Sequence, residues 1–301
     1  MTENSDFWFD YDRTPRDQLA QRMADVDVAV SSKTVWDAEA LGWAPRLKMI
    51  ALTSTGYNVV DLDAARARGI VVSNVPAYST PDVAQMTFAL LLELCLHVGE
   101  HSNLVMEGDW TRAKDFSFWS TPLVELAGKT MGIVGMGSIG QAVDRIARAF
   151  DMPVVFENRS PKPQLEGDGV RQAGLDELLA TADVVSLHVP ATPETEHMMD
   201  AAALAKMKDG SYLLNTARGS LVDEQAVVDA LRSGKLAGFG ADVVSVEPMR
   251  PDNPLLQAKG ANIVVTPHIA WATHEARERL LATVAANVGA FVDGRPQNVV
   301  D

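Results

Sequence analysis

Three charged side chains in this 301-residue sequence combine the right chemistry with the right placement: Arg218, Glu247 and His268. Arg218 stands in Asn215-Thr216-Ala217-Arg218-Gly219, just after the apolar run Tyr212–Leu214. Glu247 follows the run Gly238–Val243 in a proline-bounded loop, Val246-Glu247-Pro248. His268 follows Ile263–Val265 in Thr266-Pro267-His268-Ile269. A guanidinium binds a carboxylate through two parallel N–H bonds and polarises a neighbouring carbonyl. An imidazole exchanges a proton near neutral pH, and a carboxylate beside it favours the charged form and fixes its orientation. Reducing a 2-keto acid needs these groups: hydride reaches C2 and a proton reaches the oxygen. In an open parallel sheet, ligands bind at the carboxyl ends of the strands, so all three residues are expected on one edge. A structural Arg218–Glu247 ion pair is the competing use of two of them.

A glycine loop belongs on the same edge. Residues 132–140 read GIVGMGSIG, with Gly135, Gly137 and Gly140 in G-x-G-x-x-G spacing after an apolar run and before a helical pattern. The first glycine permits the tight turn, the second lets backbone approach a pyrophosphate, and the third lets helix and strand pack closely. With Ser138 and Ile139 opening the helix, free N–H groups and the positive dipole end face the phosphates. The next strand of such a unit ends in an acid that binds the adenosine ribose. Here that position holds Asn158, followed by Arg159 and Ser160, with Glu157 one residue earlier. A guanidinium and a hydroxyl suit a 2′-phosphate, so NADP is the expected cofactor and NAD the alternative, with Glu157 its ribose ligand.

Other chemistries lack their residues. No H-E-x-x-H or Cys/His cluster suggests a metal, and no G-x-S-x-G suggests a hydrolase. Acidic residues outnumber basic ones 40 to 26, a net charge of −14 that argues against nucleic acid. A single cysteine, Cys95, excludes an internal disulfide framework and fits a reducing compartment. The acidic start MTENSDFWFDYDRT has no basic n-region or apolar core of an export signal. The run Val83–Val98, interrupted by Gln85, Thr87, Glu93 and His97, is too short to span a bilayer and reads as a buried helix. A cytoplasmic protein with no membrane partner is the expectation.

The elements that must position these groups follow from periodicity. Met131–Val134, Val154–Phe156, Val184–Val189, Tyr212–Leu214, Gly238–Val243 and Ile263–Val265 are short, nearly continuous apolar runs, as in parallel strands buried on both faces. Helical patterns separate most of them, and Val143, Ile146, Ala147 and Phe150 fall on one helical face. The fold class is α/β, with six strands in a doubly wound parallel sheet. Val26–Val30, Met49–Leu52 and Ile70–Val72 repeat the alternation on a smaller scale, and Ala272–Val292 reads as a closing helix.

The stretches GKTMGIVGMGSIG, LHVPATPET, LLNTARGSLVDEQAVVDAL, GADVVSVEP and TPHIAWAT resemble the D-isomer-specific 2-hydroxyacid dehydrogenases over essentially the whole chain. The resemblance implies the catalytic roles for Arg218, Glu247 and His268, a carboxamide-binding Asp242, and cofactor contacts from Val189, Pro190, Thr216 and Ala217. It implies a Rossmann cofactor domain at 97–272, inserted in a smaller flavodoxin-like α/β substrate domain made of 1–96 and 273–301. It also implies that Ser54, Thr55 and Gly56 hold the substrate carboxylate through backbone amides, beside Arg218 and His268. Asp115-Phe116-Ser117-Phe118-Trp119 and Trp271 resemble the glycerate dehydrogenase and hydroxypyruvate reductase branch. Glyoxylate or hydroxypyruvate is then the expected substrate. A bulkier 2-keto acid and a non-catalytic dinucleotide sensor are the alternatives. A homodimer is expected, with segment 99–125 as its contact surface. Members of the family usually begin with a further strand and helix, so the smaller sheet is expected to lack a strand.

Overall fold

The β-branched runs of the second half form the middle of a large parallel sheet, and the shorter runs of the first half form a second one. These are the elements of a computed structural model that describes residues 9–300. In chain order they begin with α1 (Arg16–Met23), β1 (Val28–Ser31), α2 (Ala38–Gly42), β2 (Met49–Leu52), α3 (Leu62–Ala67) and β3 (Val71–Ser73). Next come α4 (Thr80–Leu96), α5 (Val98–Met106), α6 (Asp109–Arg112), β4 (Met131–Val134), α7 (Ser138–Ala149), β5 (Val154–Glu157) and β6 (Val170–Gln172). The chain continues through α8 (Leu175–Thr181), β7 (Val184–Leu187), α9 (Ala201–Lys206), β8 (Ser211–Asn215), α10 (Glu224–Ser233), β9 (Leu236–Ala241) and β10 (Ile263–Val265), and α11 (His274–Val292) is its last helix. Two compact units result, one from residues up to Tyr78 and from His274 onward, the other from Ser79–Thr273.

In the larger unit the sheet order is β10-β9-β8-β7-β4-β5-β6, and every pairing is parallel. After β4 the chain builds β5 and β6 on one side, then returns to place β7 on the other. The β4–β7 boundary is therefore the switch point where such sheets open a crevice. The sequence predicts six strands, and the structure has a seventh, β6. Its residues, Val170, Arg171 and Gln172, form a polar edge strand with no apolar run to announce it. Strands β4, β7 and β8 are buried along their whole length. Val134, Val185, Leu187 and Leu213 face one apolar layer, and Ile133, Val184 and Leu214 face the other. Phe150 of the predicted helix face stacks on Phe88 at 5.4 Å.

Helix α4 belongs to this unit, which moves the first boundary from the expected 96/97 to 78/79. Leu90 and Leu94 lie against Gly240, where a Cβ would stand 3.1 Å from the Leu90 Cβ. A glycine in β9 thus sets how closely α4 approaches. Among the described residues no single helix is long and apolar enough to cross a membrane, and α4 and α5 meet at a 58° bend. Cys95 is buried in this layer, and burial pushes its thiol up to about 11, as suits a packing residue.

The smaller unit has a parallel sheet of order β1-β2-β3 over one apolar cluster that includes Trp36, Leu41, Ile50, Leu52 and Val72. Helix α11 returns to this unit, where the buried Asn287 donates to the Asn74 carbonyl at 2.9 Å.

Candidate functional site

Each predicted catalytic residue follows a strand of the large sheet, and two of them meet. His268 Nδ1 lies 2.7 Å from Glu247 Oε2, with both side chains about one-third exposed. Both Nδ1 and Glu247 are therefore committed, which leaves Nε2 as the imidazole's free edge. His268 sits at φ 55°, a left-handed conformation that a non-glycine residue adopts only when its surroundings impose it. Asp242 imposes it. This carboxylate, 1% exposed at the end of β9, accepts from Thr266 Oγ1 at 2.5 Å, Ile269 N–H at 2.9 Å and Ala270 N–H at 2.8 Å. Asp242 thus holds the turn that carries the histidine, a job that its strand-end position alone does not reveal.

Arg218 is half-buried in the turn after β8. Buried Asn215 braces that turn at both ends: Nδ2 donates to the Arg218 carbonyl at 2.8 Å, and Oδ1 accepts from Ala217 N–H at 3.1 Å. The guanidinium donates to the Ala217 carbonyl at 2.7 Å. Among the described residues no carboxylate pairs with Arg218, and Glu247 turns to His268 instead. The competing Arg218–Glu247 ion pair is absent among these residues, so the guanidinium is available to an external anion. Thr216 turns its hydroxyl to Thr87 Oγ1 at 3.0 Å, leaving only backbone for a ligand.

The glycine loop joins β4 to α7. Gly135 has φ 97°, and a Cβ there would lie 2.7 Å from the His188 carbonyl oxygen. A Cβ on Gly140 would lie 2.2 Å from the Gly135 carbonyl oxygen, so helix and loop close only over glycine. Gly137 has open space on its side, and no side chain caps the start of α7. Gly137 and Ser138 are exposed. A loop sealed by two glycines and open at the third, with uncapped helix N–H groups, fits a dinucleotide pyrophosphate. Val189, just after β7, lies against Gly135 in the same turn, and the exposed Pro190 follows it in the chain.

Asn158, predicted as a ribose ligand, is already engaged by the protein. Its Oδ1 accepts from Met136 N–H at 3.2 Å, and its Nδ2 donates to the Ser160 carbonyl at 2.8 Å. Asn158 therefore ties the glycine loop to the turn after β5. Arg159 and Ser160 are exposed beyond it, and Glu157 is half-buried, with burial pushing its carboxyl up. Glu194 lies near Arg159: a Thr192 hydroxyl bond, backbone bonding and the Arg159 charge hold its carboxyl below the usual range. Sequence reasoning missed Glu194, whose carboxylate feels that guanidinium only through a weak charge interaction, since no ion pair joins the two among the described residues. It also missed Asn215, whose signal was a buried polar residue ending an apolar strand.

Ser54, Thr55 and Gly56 lie in the smaller unit, after β2. Their carbonyls are all occupied: Val75 N–H donates to Ser54 at 2.9 Å, Asn74 Nδ2 to Thr55 at 2.7 Å, and Ser54 Oγ to Gly56 at 2.6 Å. Thr55 Oγ1 adds a strut to the Val75 carbonyl at 2.7 Å. Among the described residues no acceptor takes the N–H groups of Ser54, Thr55 or Gly56.

Residues 88–270 match the family described as D-isomer specific 2-hydroxyacid dehydrogenase, NAD binding domain. The chain is 46% identical over 294 residues to a hydroxypyruvate reductase of Blautia hydrogenotrophica, covering 97% of this chain and 91% of that one. It is 39% identical to a glycerate dehydrogenase of Methylorubrum extorquens, covering 95% and 88% of the two chains. Among solved structures, an NADPH-dependent glyoxylate/hydroxypyruvate reductase from Sinorhizobium meliloti, in complex with NADP and malonate, superposes with TM-score 0.82. That protein is 32% identical, and the match covers 93% of this chain and 85% of that one. A switch-point glycine loop, a His–Glu pair and an arginine without a carboxylate partner among the described residues agree with these likenesses: the chain belongs to the D-isomer-specific 2-hydroxyacid dehydrogenases, oxidoreductases acting on CH–OH.

Proposed function

We propose that the protein reduces a small 2-keto acid, glyoxylate or hydroxypyruvate, to the D-2-hydroxy acid with a nicotinamide dinucleotide. The carrying observation is the 2.7 Å His268–Glu247 contact, with Arg218 at the end of the strand paired to that of Glu247 and without a carboxylate partner among the described residues. When bound, the dinucleotide supplies hydride to the carbonyl carbon. Arg218 binds the substrate carboxylate and polarises the carbonyl. Glu247 holds the Nδ1 proton, so the imidazolium delivers its proton from Nε2 to the carbonyl oxygen. The amides of Ser54, Thr55 and Gly56 are a second anion-binding group of the proposal. Gly135, Gly137, Ser138, Ile139 and Gly140 take the pyrophosphate, and backbone at Val189, Pro190, Thr216 and Ala217 lines the cofactor. Asp242 keeps one Oδ2 lone pair for the carboxamide. Arg159 and Ser160 favour NADP over NAD. The domain limits follow: 79–273 binds the cofactor and the smaller unit binds substrate.

A panel of 2-keto acids assayed with NADPH and NADH tests this reading. Glyoxylate and hydroxypyruvate are expected to lead, and the corresponding uncharged aldehydes and ketones to be poor. His268→Ala is expected to lower kcat by roughly two to four orders of magnitude while dinucleotide affinity holds. Near-wild-type turnover by that variant, or equal use of a neutral ketone, removes the assignment. A sensor without catalysis shows no consumption of either cofactor. The proposal includes a cytoplasmic homodimer, with exposed Met106, Trp110, Phe116 and Trp119 as the apolar face that a second copy covers. Trp119→Glu is expected to shift the mass in solution to a monomer.

A further inference from the structure

Glu224, the first residue of α10, is a buried carboxylate that the reaction as described does not use. It is 8% exposed, and three donors converge on it. Ser245 N–H reaches Oε1 at 2.8 Å, Ser245 Oγ reaches Oε2 at 2.7 Å, and Asn253 Nδ2 reaches Oε2 at 2.9 Å. Among the described residues no cation pairs with it. Helix capping does not require it either, since Asp223 Oδ1 already accepts from Gln225 and Ala226 N–H. Asn253 cannot turn its amide round, because its Oδ1 accepts from Leu255 N–H at 2.9 Å. A carboxylate buried without a cation is costly, and the three charge-assisted hydrogen bonds to Glu224 offset that cost while fixing their donors in place.

They hold the loop that ends in Glu247. Ser245 lies two residues before Glu247, and Val244 N–H points to Glu247 Oε1 at 3.4 Å. The other side of this loop presses on Gly219, where a Cβ would fall 1.9 Å from the Val244 carbonyl carbon. Gly219 directly follows Arg218, and the same segment runs on to Glu224. We propose that Glu224 is a positioning residue for the reaction: by anchoring Ser245 it places Glu247 on His268 Nδ1 and ties the proton donor to the Arg218 segment. This inference rests on the Glu247–His268 reading above.

The test uses the full chain and four variants, Glu224→Gln, Asn253→Asp, the two combined, and Ser245→Ala, with Glu247→Gln as reference. The readouts are kcat and KM for glyoxylate, dinucleotide Kd by fluorescence, and the His268 ring tautomer from 15N shifts. Glu224→Gln sets an amide N–H₂ against the Asn253 N–H₂, and Asn253→Asp sets two carboxylates against each other. Each single change is expected to lower kcat roughly ten- to a hundredfold. Dinucleotide Kd stays within about twofold of wild type, and His268 becomes a mixture of tautomers instead of holding its proton on Nδ1. The double variant restores a donor facing an acceptor, and it is expected to recover kcat to within about threefold together with the Nδ1 tautomer. Ser245→Ala keeps the backbone bond and is expected to lose roughly three- to tenfold, which gives a reading should Glu224→Gln fail to fold. A wild-type tautomer and kcat in Glu224→Gln, or a double variant as impaired as the single ones, overturns the inference. An unimpaired Glu247→Gln overturns the proposed proton donor instead, and the tautomer then still decides whether Glu224 places Glu247.

Discussion

The two units hold their loops at strand ends in opposite ways, and the difference decides what each loop can offer. In the large unit, side-chain oxygens take backbone N–H groups. Asp242 accepts from Ile269 and Ala270, Asn158 from Met136, and Asn215 from Ala217. With these amides used, the loops after β8, β9 and β10 present side chains, Arg218, Glu247 and His268, while the glycine loop after β4 keeps the free N–H groups that open α7. In the small unit the scaffold takes the carbonyls of Ser54, Thr55 and Gly56. That loop leaves its N–H groups without an acceptor among the described residues, which is what the proposed anion-binding role requires. Strand burial does not set this difference: β2, which carries the amide loop, is buried along its whole length, as β4, β7 and β8 are. The left-handed His268 turn follows the half-buried β10 and is held by Asp242.

The comparison breaks first at Asp242. In Asp242→Asn one oxygen becomes an N–H₂ group, which cannot accept from both Ala270 and the Thr266–Ile269 pair. One donor at the turn is left unpaired in a site that is 1% exposed. An unsatisfied buried donor costs about 1–3 kcal/mol. The expected outcome is a kcat lowered roughly ten- to a hundredfold, with the left-handed turn relaxed. Steady-state rates and a crystal structure of the variant check it. Unchanged kcat with an unchanged turn shows that the turn holds itself.

The groups at strand ends were legible because apolar runs and punctuation locate them. Arg218, Glu247 and His268 each follow a run that becomes β8, β9 or β10. What the sequence hides is which partner an element chooses. The apolar stretch of α4 reads as buried, but only the glycine at 240 shows that it packs on β9. Strand β6 escapes because an edge strand need not be apolar. Asn158, the residue expected at the ribose, is used as a brace between the neighbouring Ser160 and the distant Met136, and an amide can serve either purpose.

A half-buried histidine with a sealed ring nitrogen sharpens the comparison through pH. His188, after β7, bonds through Nε2 to Ser186 Oγ at 2.8 Å, and its Nδ1 is sealed from solvent. Burial pushes its pKa from 6.5 down to about 3. The folded pKa is depressed, so the unfolded chain takes up a proton first as pH falls. Stability is full above 6.5 and declines toward 3. At pH 5 the loss is about 2 kcal/mol. In the small unit the lowered carboxylates are Asp27, beside Lys48, and Asp37, beside Arg16, and they respond only below their ordinary value of 3.8. Hydrogen exchange, corrected for intrinsic chemistry, is expected to show β7 losing protection between pH 7 and 5 while β2 holds. His188→Gln is expected to abolish that difference. Equal behaviour of both sheets in wild type refutes it.

Thr55→Val removes the strut to the Val75 carbonyl without changing the side-chain shape much. If the small unit offers amides and the large unit performs proton transfer, this change is expected to raise KM for glyoxylate roughly three- to tenfold and leave kcat within about twofold. It is the mirror image of Asp242→Asn. A kcat loss with constant KM erases the distinction between the two loops.

The smallest effect concerns the exposed rim of the large unit, where no buried acid organises the loop. In the proposal Arg159 meets the 2′-phosphate, with Glu194 as a weak, long-range competitor for its charge. Both are solvent-screened, so the competition is worth little. Glu194→Gln is expected to tighten NADPH roughly 1.5- to fivefold and leave NADH unchanged. Arg159→Ala is expected to weaken NADPH by more than that and NADH scarcely, because only NADPH carries the 2′-phosphate. Once Arg159 is gone, adding Glu194→Gln brings no further gain, since the carboxylate acts through that guanidinium. Titrations of both cofactors against wild type, the two single variants and the double variant measure this coupling. If Glu194→Gln changes NADH as much as NADPH, the carboxylate acts through the fold of its own loop. If wild type prefers NADH and Arg159→Ala affects both cofactors alike, the half-buried Glu157 takes the ribose.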